Sequence, residues 1–131
     1  MLGAQAVQIG TRFIVAKECN VHQAYKDRVI QARDIDSEVT GRSTGHPVRS
    51  LRNQMTRKYQ ALEKEGAGFE ELELLTLGAL RKAVVDGDVK NGTVMAGQIA
   101  GLIKKEQTCS EIIKELMDGM SNVIEHVRGE I

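Results

Sequence analysis

The sequence predicts an α/β chain that is predominantly helical by itself: one short buried strand near its start, then helices. Three observations carry this expectation. Ala4-Gln5-Ala6-Val7-Gln8-Ile9 is short, apolar and partly β-branched, and it stops at Gly10, which is the pattern of a buried strand. From Asn20 onward, apolar residues recur at helical spacing between turn-forming stretches. Glycine occurs 13 times in 131 residues and proline once, at Pro47, which suits tight turns and close backbone approaches rather than linkers.

Taken in order, Phe13-Ile14-Val15-Ala16 prolongs the first apolar run. A strand so apolar needs neighbours on both sides. The only other strand-like segment is Ile35 to Thr40, where alternation is weak. Asn20 is placed to cap a helix with the stripe Val21, Ala24, Tyr25, Val29 and Ala32. Gly41 to Gly45 is a loop, and Pro47 suits the first turn of a helix carrying Val48, Leu51, Met55, Tyr59 and Leu62. Gly66-Ala67-Gly68 ends that helix. The next begins near Phe69 and buries Phe69, Leu72, Leu75 and Leu80, while Glu70, Glu71 and Glu73 favour its N-terminal dipole.

Asp86 to Gly92 reads as a turn, because its acids lack the spacing of a calcium loop. Thr93 is expected to cap a helix from Val94 to Lys104. Gly97 and Gly101 would share one face of it and mark a close approach by another helix or a flat ligand. Thr108 and Glu111 form a capping box for a closing helix whose apolar face runs from Ile112 to Val127.

Composition narrows the function classes. Eighteen cations balance eighteen anions, so neither nucleic acid nor a membrane surface is indicated as a partner. The aromatic content of 3% weakens base-stacking and carbohydrate-platform readings. Two cysteines, Cys19 and Cys109, with no CxxC argue against a disulfide scaffold or structural zinc and for a reduced, cytoplasmic protein. No run reaches the ~18 apolar residues of a membrane span. Charge is uneven: residues 1–65 hold eleven Lys/Arg against seven Asp/Glu, and residues 66–131 hold the reverse. Arg42, Arg49, Arg52, Arg57 and Lys58 lie in a stretch free of acids. Such a stretch meets phosphates or an acidic partner, or more commonly is a set of solvated faces.

Few residues suggest chemistry. Cys19 and His22 are half of a metal site without a second half, so no metal is expected. His126 suits the C-terminal end of its helix. His46, in a loop bounded by glycines, is the histidine placed most like a functional one. A strand ending in Gly10-Thr11 can present backbone amides to a phosphate.

MLGAQAVQIGTRF, VAKE with Asn20, His22 and Tyr25-Lys26, ARDID, TGHPVRSLRNQ and GDVKNGTVMAGQIAGL follow one another through almost the whole chain. Together they closely resemble the FMN-dependent enoyl-acyl-carrier-protein reductases (the FabK type), which belong with the nitronate monooxygenases. The resemblance implies the C-terminal part of a (β/α)₈ barrel flavoprotein, with residues 1–18 as the last barrel strand and phosphate-binding turn and residues 19–131 as the helical C-terminal region of the same domain. It places Gln8, Ile9, Gly10 and Thr11 at the FMN phosphate, and Met95, Ala96, Gly97 and Gln98 beside the flavin and acyl pocket. None of His22, His46 and His126 matches the family's catalytic histidine, which is expected upstream of this chain.

The implied reaction is reduction of a trans-2-enoyl thioester on acyl carrier protein by NADH or NADPH, with the isolated chain inactive. The expected partners are that carrier-bound substrate, the N-terminal part of the barrel, and a second copy in a homodimer. Two alternatives remain open at this point: a nitronate monooxygenase of the same superfamily, and a non-enzymatic helical interaction module.

Overall fold

The computed structural model describes residues 3–129. Met1 and Leu2, which open the expected strand region, lie outside the described residues, as do Glu130 and Ile131. The chain is mostly helical: α1 (Thr11–Ile14), α2 (Gln23–Ile30), β1 (Ser37–Thr40), β2 (Val48–Leu51), α3 (Gln54–Glu65), α4 (Phe69–Thr76), α5 (Ala79–Val84) and α6 (Cys109–Gly129). Two 3₁₀ segments, Asp34–Asp36 and Gln98–Leu102, complete it.

Residues 4–9 correct the first expectation. They form no strand and are largely exposed, with Val7 79% accessible. An extended segment becomes a strand only when a neighbour takes its amide and carbonyl groups, and among the described residues no other segment pairs with it. The apolar run then turns helical at Thr11, and only its end, Val15 and Ala16, enters the core. There, Ala16 pairs with Gln107 in an isolated parallel bridge.

Helix α2 is capped by His22, not Asn20: its Nδ1 accepts the Ala24 amide at 3.1 Å. Tyr25, Val29 and Ala32 are buried as the spacing predicts. Lys26 is also buried, a feature that an apolar-stripe reading passes over.

The segment after Pro47 is a strand before it is a helix. β2 pairs antiparallel with β1, with Ser37 opposite Leu51 and Thr40 opposite Val48. Residues 94–96 extend this ribbon along its other edge. Leu51 donates its amide to Val94 O at 2.8 Å, Ala96 donates to Arg49 O at 3.3 Å, and Met95 sits opposite Ser50. The helix expected over Val94 to Lys104 is therefore absent. Its first residues are consumed by edge pairing, and only the 3₁₀ segment Gln98–Leu102 follows. A close approach at Gly101 does exist, but to backbone: a β-carbon there would lie 2.7 Å from the Asp34 nitrogen.

Asn53 caps α3 by accepting the Thr56 amide, and Gly66 ends it in the left-handed conformation at φ +80°, which costs a glycine little. The single helix expected from Phe69 is two helices, divided at Gly78 with φ +72°. Leu72 is buried, whereas Phe69 and Leu80 are 53% and 42% exposed. Asp86 to Gly92 is a turn in which Asp88 accepts the Lys90 and Asn91 amides.

The main core gathers residues such as Val15, Tyr25, Val29, Leu51, Val94 and Ile103. A second cluster of Met55, Tyr59, Leu72 and Ala79 joins α3 to α4 and α5. Helix α6 begins on the expected Thr108–Glu111 capping box, with Thr108 N 2.7 Å from Glu111 Oε2 and Glu111 N 3.2 Å from Thr108 Oγ1. Its apolar face is broad, but this chain covers little more than Ile112.

Candidate functional site: a cleft between Thr11 and Gly97

Two segments singled out from the sequence, far apart along the chain, meet in space. The Gly97 amide donates to Thr11 Oγ1 at 2.8 Å. Around this bond lies a shallow cleft of about 300 Å³ lined by Gly10, Thr11, Ile14, Arg49, Met95, Ala96 and Gly97. Gln8 is exposed and Ile9 half-buried in the extended approach to it. Gln98 opens the 3₁₀ segment on its far side.

Each wall has a local cause. Gly10 precedes α1 and its carbonyl accepts the Phe13 amide at 2.9 Å, which folds the chain back and sets Thr11 in place. The opposite wall is held by Tyr25, whose hydroxyl donates to Met95 O at 2.7 Å. Burial pushes that phenol up to about 12, so it remains a donor at any physiological pH. The floor comes from β2. Side chains alternate along a strand, and Arg49 turns to the cleft while Val48 lines a separate cavity on the other side.

The chemistry of this cleft suits an anion. A β-carbon on Gly10 would meet nothing within 4 Å, so the space above it is open to a ligand. Thr11 Oγ1 accepts from Gly97, and its own proton has no acceptor among the described residues. Arg49 is half-buried and donates from one nitrogen to Ser37 Oγ at 3.1 Å. No carboxylate among the described residues pairs with it. A guanidinium without a carboxylate, beside a hydroxyl donor and a bare glycine backbone, is a set that recognises phosphate oxygens. The cleft thus fits a phosphate group, with Met95, Ala96 and Gly97 beside whatever adjoins it.

Arg49 is the residue that sequence reasoning misplaced. Read as part of a helix, it belonged to the cationic stretch; the strand makes it part of the cleft. Val48-Arg49-Ser50-Leu51 shows no apolar–polar alternation, so no local signal marked it as a strand. The cationic stretch is not one face. Arg52 pairs with Glu38 at 2.9 Å, while Arg42, Arg57 and Lys58 are exposed.

His46 is on the loop joining β1 to β2, and its ring lies 6.2 Å from that of Phe69. It borders the separate cavity, not the cleft. His22 is used as the α2 cap. Cys19 and Cys109 are free thiols, and no group of three or more His, Cys, Asp or Glu residues comes together among the described residues. No helix among them is long and apolar enough to cross a membrane.

Comparison with known proteins identifies the family and the fold. The FabK structure from Thermotoga maritima superposes with a TM-score of 0.92 at 41% identity, covering 98% of this chain and 41% of that chain. A nitroalkane oxidase from Streptomyces ansochromogenes shares the fold, with a TM-score of 0.69 at 24% identity over 95% of this chain and 35% of its own. A protein of Bacillus subtilis named "Probable nitronate monooxygenase" is 25% identical over 115 residues, 88% of this chain and 33% of its own length. This chain therefore spans between a third and two fifths of the length of these relatives. It has the fold of part of a (β/α)₈ barrel enzyme of the FabK type. The model of the nitronate monooxygenase family matches residues 1–119, and the chain belongs to that family.

Proposed function

We propose that this chain is the portion of an FMN-dependent oxidoreductase that closes the cofactor-phosphate site and one side of the flavin, and that the enzyme reduces trans-2-enoyl thioesters on acyl carrier protein with NADH or NADPH. The observation that carries the reading is the Thr11–Gly97 hydrogen bond beside Arg49, which joins the two segments the family resemblance implicates. The 41% identity to Thermotoga FabK supports the reductase branch.

Bound FMN supplies the hydride chemistry. The residues here position it. Gly10 leaves room for phosphate oxygens, Thr11 and Arg49 offer donors to them, and the Met95–Gly97 ribbon is held against the same cleft by Tyr25 and Thr11. A fixed ribbon keeps the reacting groups in register, the main contribution of a protein to a cofactor-borne reaction.

A second reading, nitronate oxidation, is favoured by the family model and by the names of relatives such as the Bacillus subtilis protein. A chimera separates the two readings: residues 3–129 replace the matching segment of Thermotoga FabK. Reduction of crotonyl thioester at the expense of NADH supports the reductase. Oxygen consumption with an alkyl nitronate and no enoyl reduction supports the second reading, and loss of FMN from a folded chimera rejects both.

A further inference from the structure

Cys19 and Cys109 are 90 positions apart in sequence, and the fold brings them to one corner. Ala16 pairs with Gln107 in the parallel bridge, and Lys17 donates its amide to Gln107 O at 2.9 Å. From Ala16 the chain turns at once. The Cys19 amide donates to Ala16 O at 3.1 Å, which closes a four-residue turn whose ends lie within about 7 Å. On the other side only Thr108 separates Gln107 from Cys109, the first residue of α6. Glu18 spans the remaining gap: both of its carboxylate oxygens accept the Cys109 amide, each at 3.0 Å. The residue before one thiol is therefore hydrogen-bonded to the backbone of the other.

Both thiols are free and half-buried, so neither is sealed from a small oxidant. Desolvation, then the Glu18 carboxylate and the neighbouring Cys19 thiol, push the Cys109 thiol above its ordinary range. Cys109 is therefore a slow nucleophile at neutral pH, and Cys19 is the group that starts any exchange. In the reduced chain this corner is held by hydrogen bonds alone. A covalent link across it would tie the start of α6 to the turn that follows α1, the helix that carries Thr11.

We infer that Cys19 and Cys109 are a thiol pair that a small-molecule disulfide oxidises to an intrachain disulfide, a reversible latch between α6 and the turn behind the Thr11 wall of the cleft. Glutathione disulfide is the oxidant. The Cys19 sulfur, having given its proton to solvent, attacks one glutathione sulfur; the glutathione S–S bond breaks, and the first glutathione leaves and takes up a proton. The Cys109 sulfur, deprotonated in turn, attacks the Cys19 sulfur of the mixed disulfide and expels the second glutathione, which is also protonated. The two protein thiols lose two electrons, and one glutathione disulfide becomes two glutathione thiols.

The test is exposure of the whole folded chain to glutathione disulfide, read by intact mass and peptide mapping. The wild type should lose the mass of two hydrogen atoms and yield a Cys19–Cys109 linked peptide. That form should exceed the mixed disulfide about tenfold or more, because a neighbouring thiol acts at millimolar effective concentration. Cys109→Ser should stop at one glutathione adduct, and dithiothreitol should return both thiols to the wild type. The oxidised wild type should also unfold at a higher urea concentration than the reduced one, because the link restricts the unfolded chain, while Cys109→Ser treated alike shows no such rise. Two glutathione adducts on the wild type, disulfide-linked dimers, or two thiols left free would each overturn the inference. An unchanged or lowered urea midpoint of the linked form would overturn the latch.

Discussion

Thr11 Oγ1 accepts the amide proton of Gly97 at 2.8 Å, across 86 positions of sequence. One hydroxyl thus fixes the distance between the two walls of the cleft. Replacing Thr11 with Val keeps the shape and removes the acceptor. The expected loss of stability is about 1–3 kcal/mol, the cost of stranding a part-buried donor. FMN affinity of the Thermotoga chimera should fall about tenfold, and Thr11→Ser should retain both. Urea denaturation and flavin fluorescence titration read the two effects separately.

Gly41 and Gly66 share the left-handed conformation, at φ +79° and +80°, but not the same surroundings. A β-carbon at Gly41 would collide with the backbone oxygen of His46, whereas at Gly66 it would meet nothing within 4 Å. Gly66→Ala should cost only the left-handed penalty, about 1–2 kcal/mol. Gly41→Ala should cost clearly more, because backbone cannot swing aside as a flexible side chain can. Equal losses in urea midpoints would show that the 41–47 loop yields, and that the cavity rim is not rigid.

Lys26 is buried and donates to Ala16 O at 2.7 Å and to Glu106 Oε1 at 2.9 Å. That hydrogen bond, assisted by Gln23, holds the Glu106 carboxyl below its ordinary range. Because the folded value is the lower one, the unfolded chain takes up the proton first as pH falls. The contribution is complete above about pH 4.3, the usual glutamate value, and disappears as pH drops through the folded value. The stability gap between wild type and Glu106→Gln should therefore be full at pH 7 and close on acidification below about pH 4. A gap constant over that range would show that the charge of Glu106 is not what Lys26 requires. Lys26→Met should cost about 1–3 kcal/mol at neutral pH by removing the buried hydrogen bonds of Lys26 to Ala16 O and Glu106, although Ala16 O keeps the Cys19 amide at 3.1 Å.

Helix α6 should divide sharply in its response to truncation. Ile112 is 1% exposed, while Met117 and Met120 are 53% and 49% exposed. Ile112→Ala should cost about 2–5 kcal/mol, as for other buried large-to-small changes. Met117→Ala and Met120→Ala should stay within about 0.5 kcal/mol. A comparable loss at all three positions in thermal melts would mean that the exposed face is covered in solution.

The parts of the fold legible in the sequence are those decided within a few residues. Gly66 stops α3, Thr108 and Glu111 box the start of α6, Asp88 builds its own turn, and the spacing of Tyr25, Val29 and Ala32 marks a buried face. Each depends on backbone geometry or on hydrogen bonds spanning four residues or fewer. The site was partly legible in the same way: Gly10-Thr11 and Met95 to Gly97 stood out as segments, but nothing local said that they touch.

Sequence by itself determined which segments turn, cap and bury, and which two of them resemble a cofactor site. Tertiary structure alone decided what their backbones do. Val48 to Leu51 and Val94 to Ala96 have helical spacing in an apolar sense, yet each finds an extended neighbour that takes its amides. Residues 4–9, the most strand-like of all, find none and stay exposed. Strand pairing needs a distant partner, and the identity of that partner is a property of the packed chain.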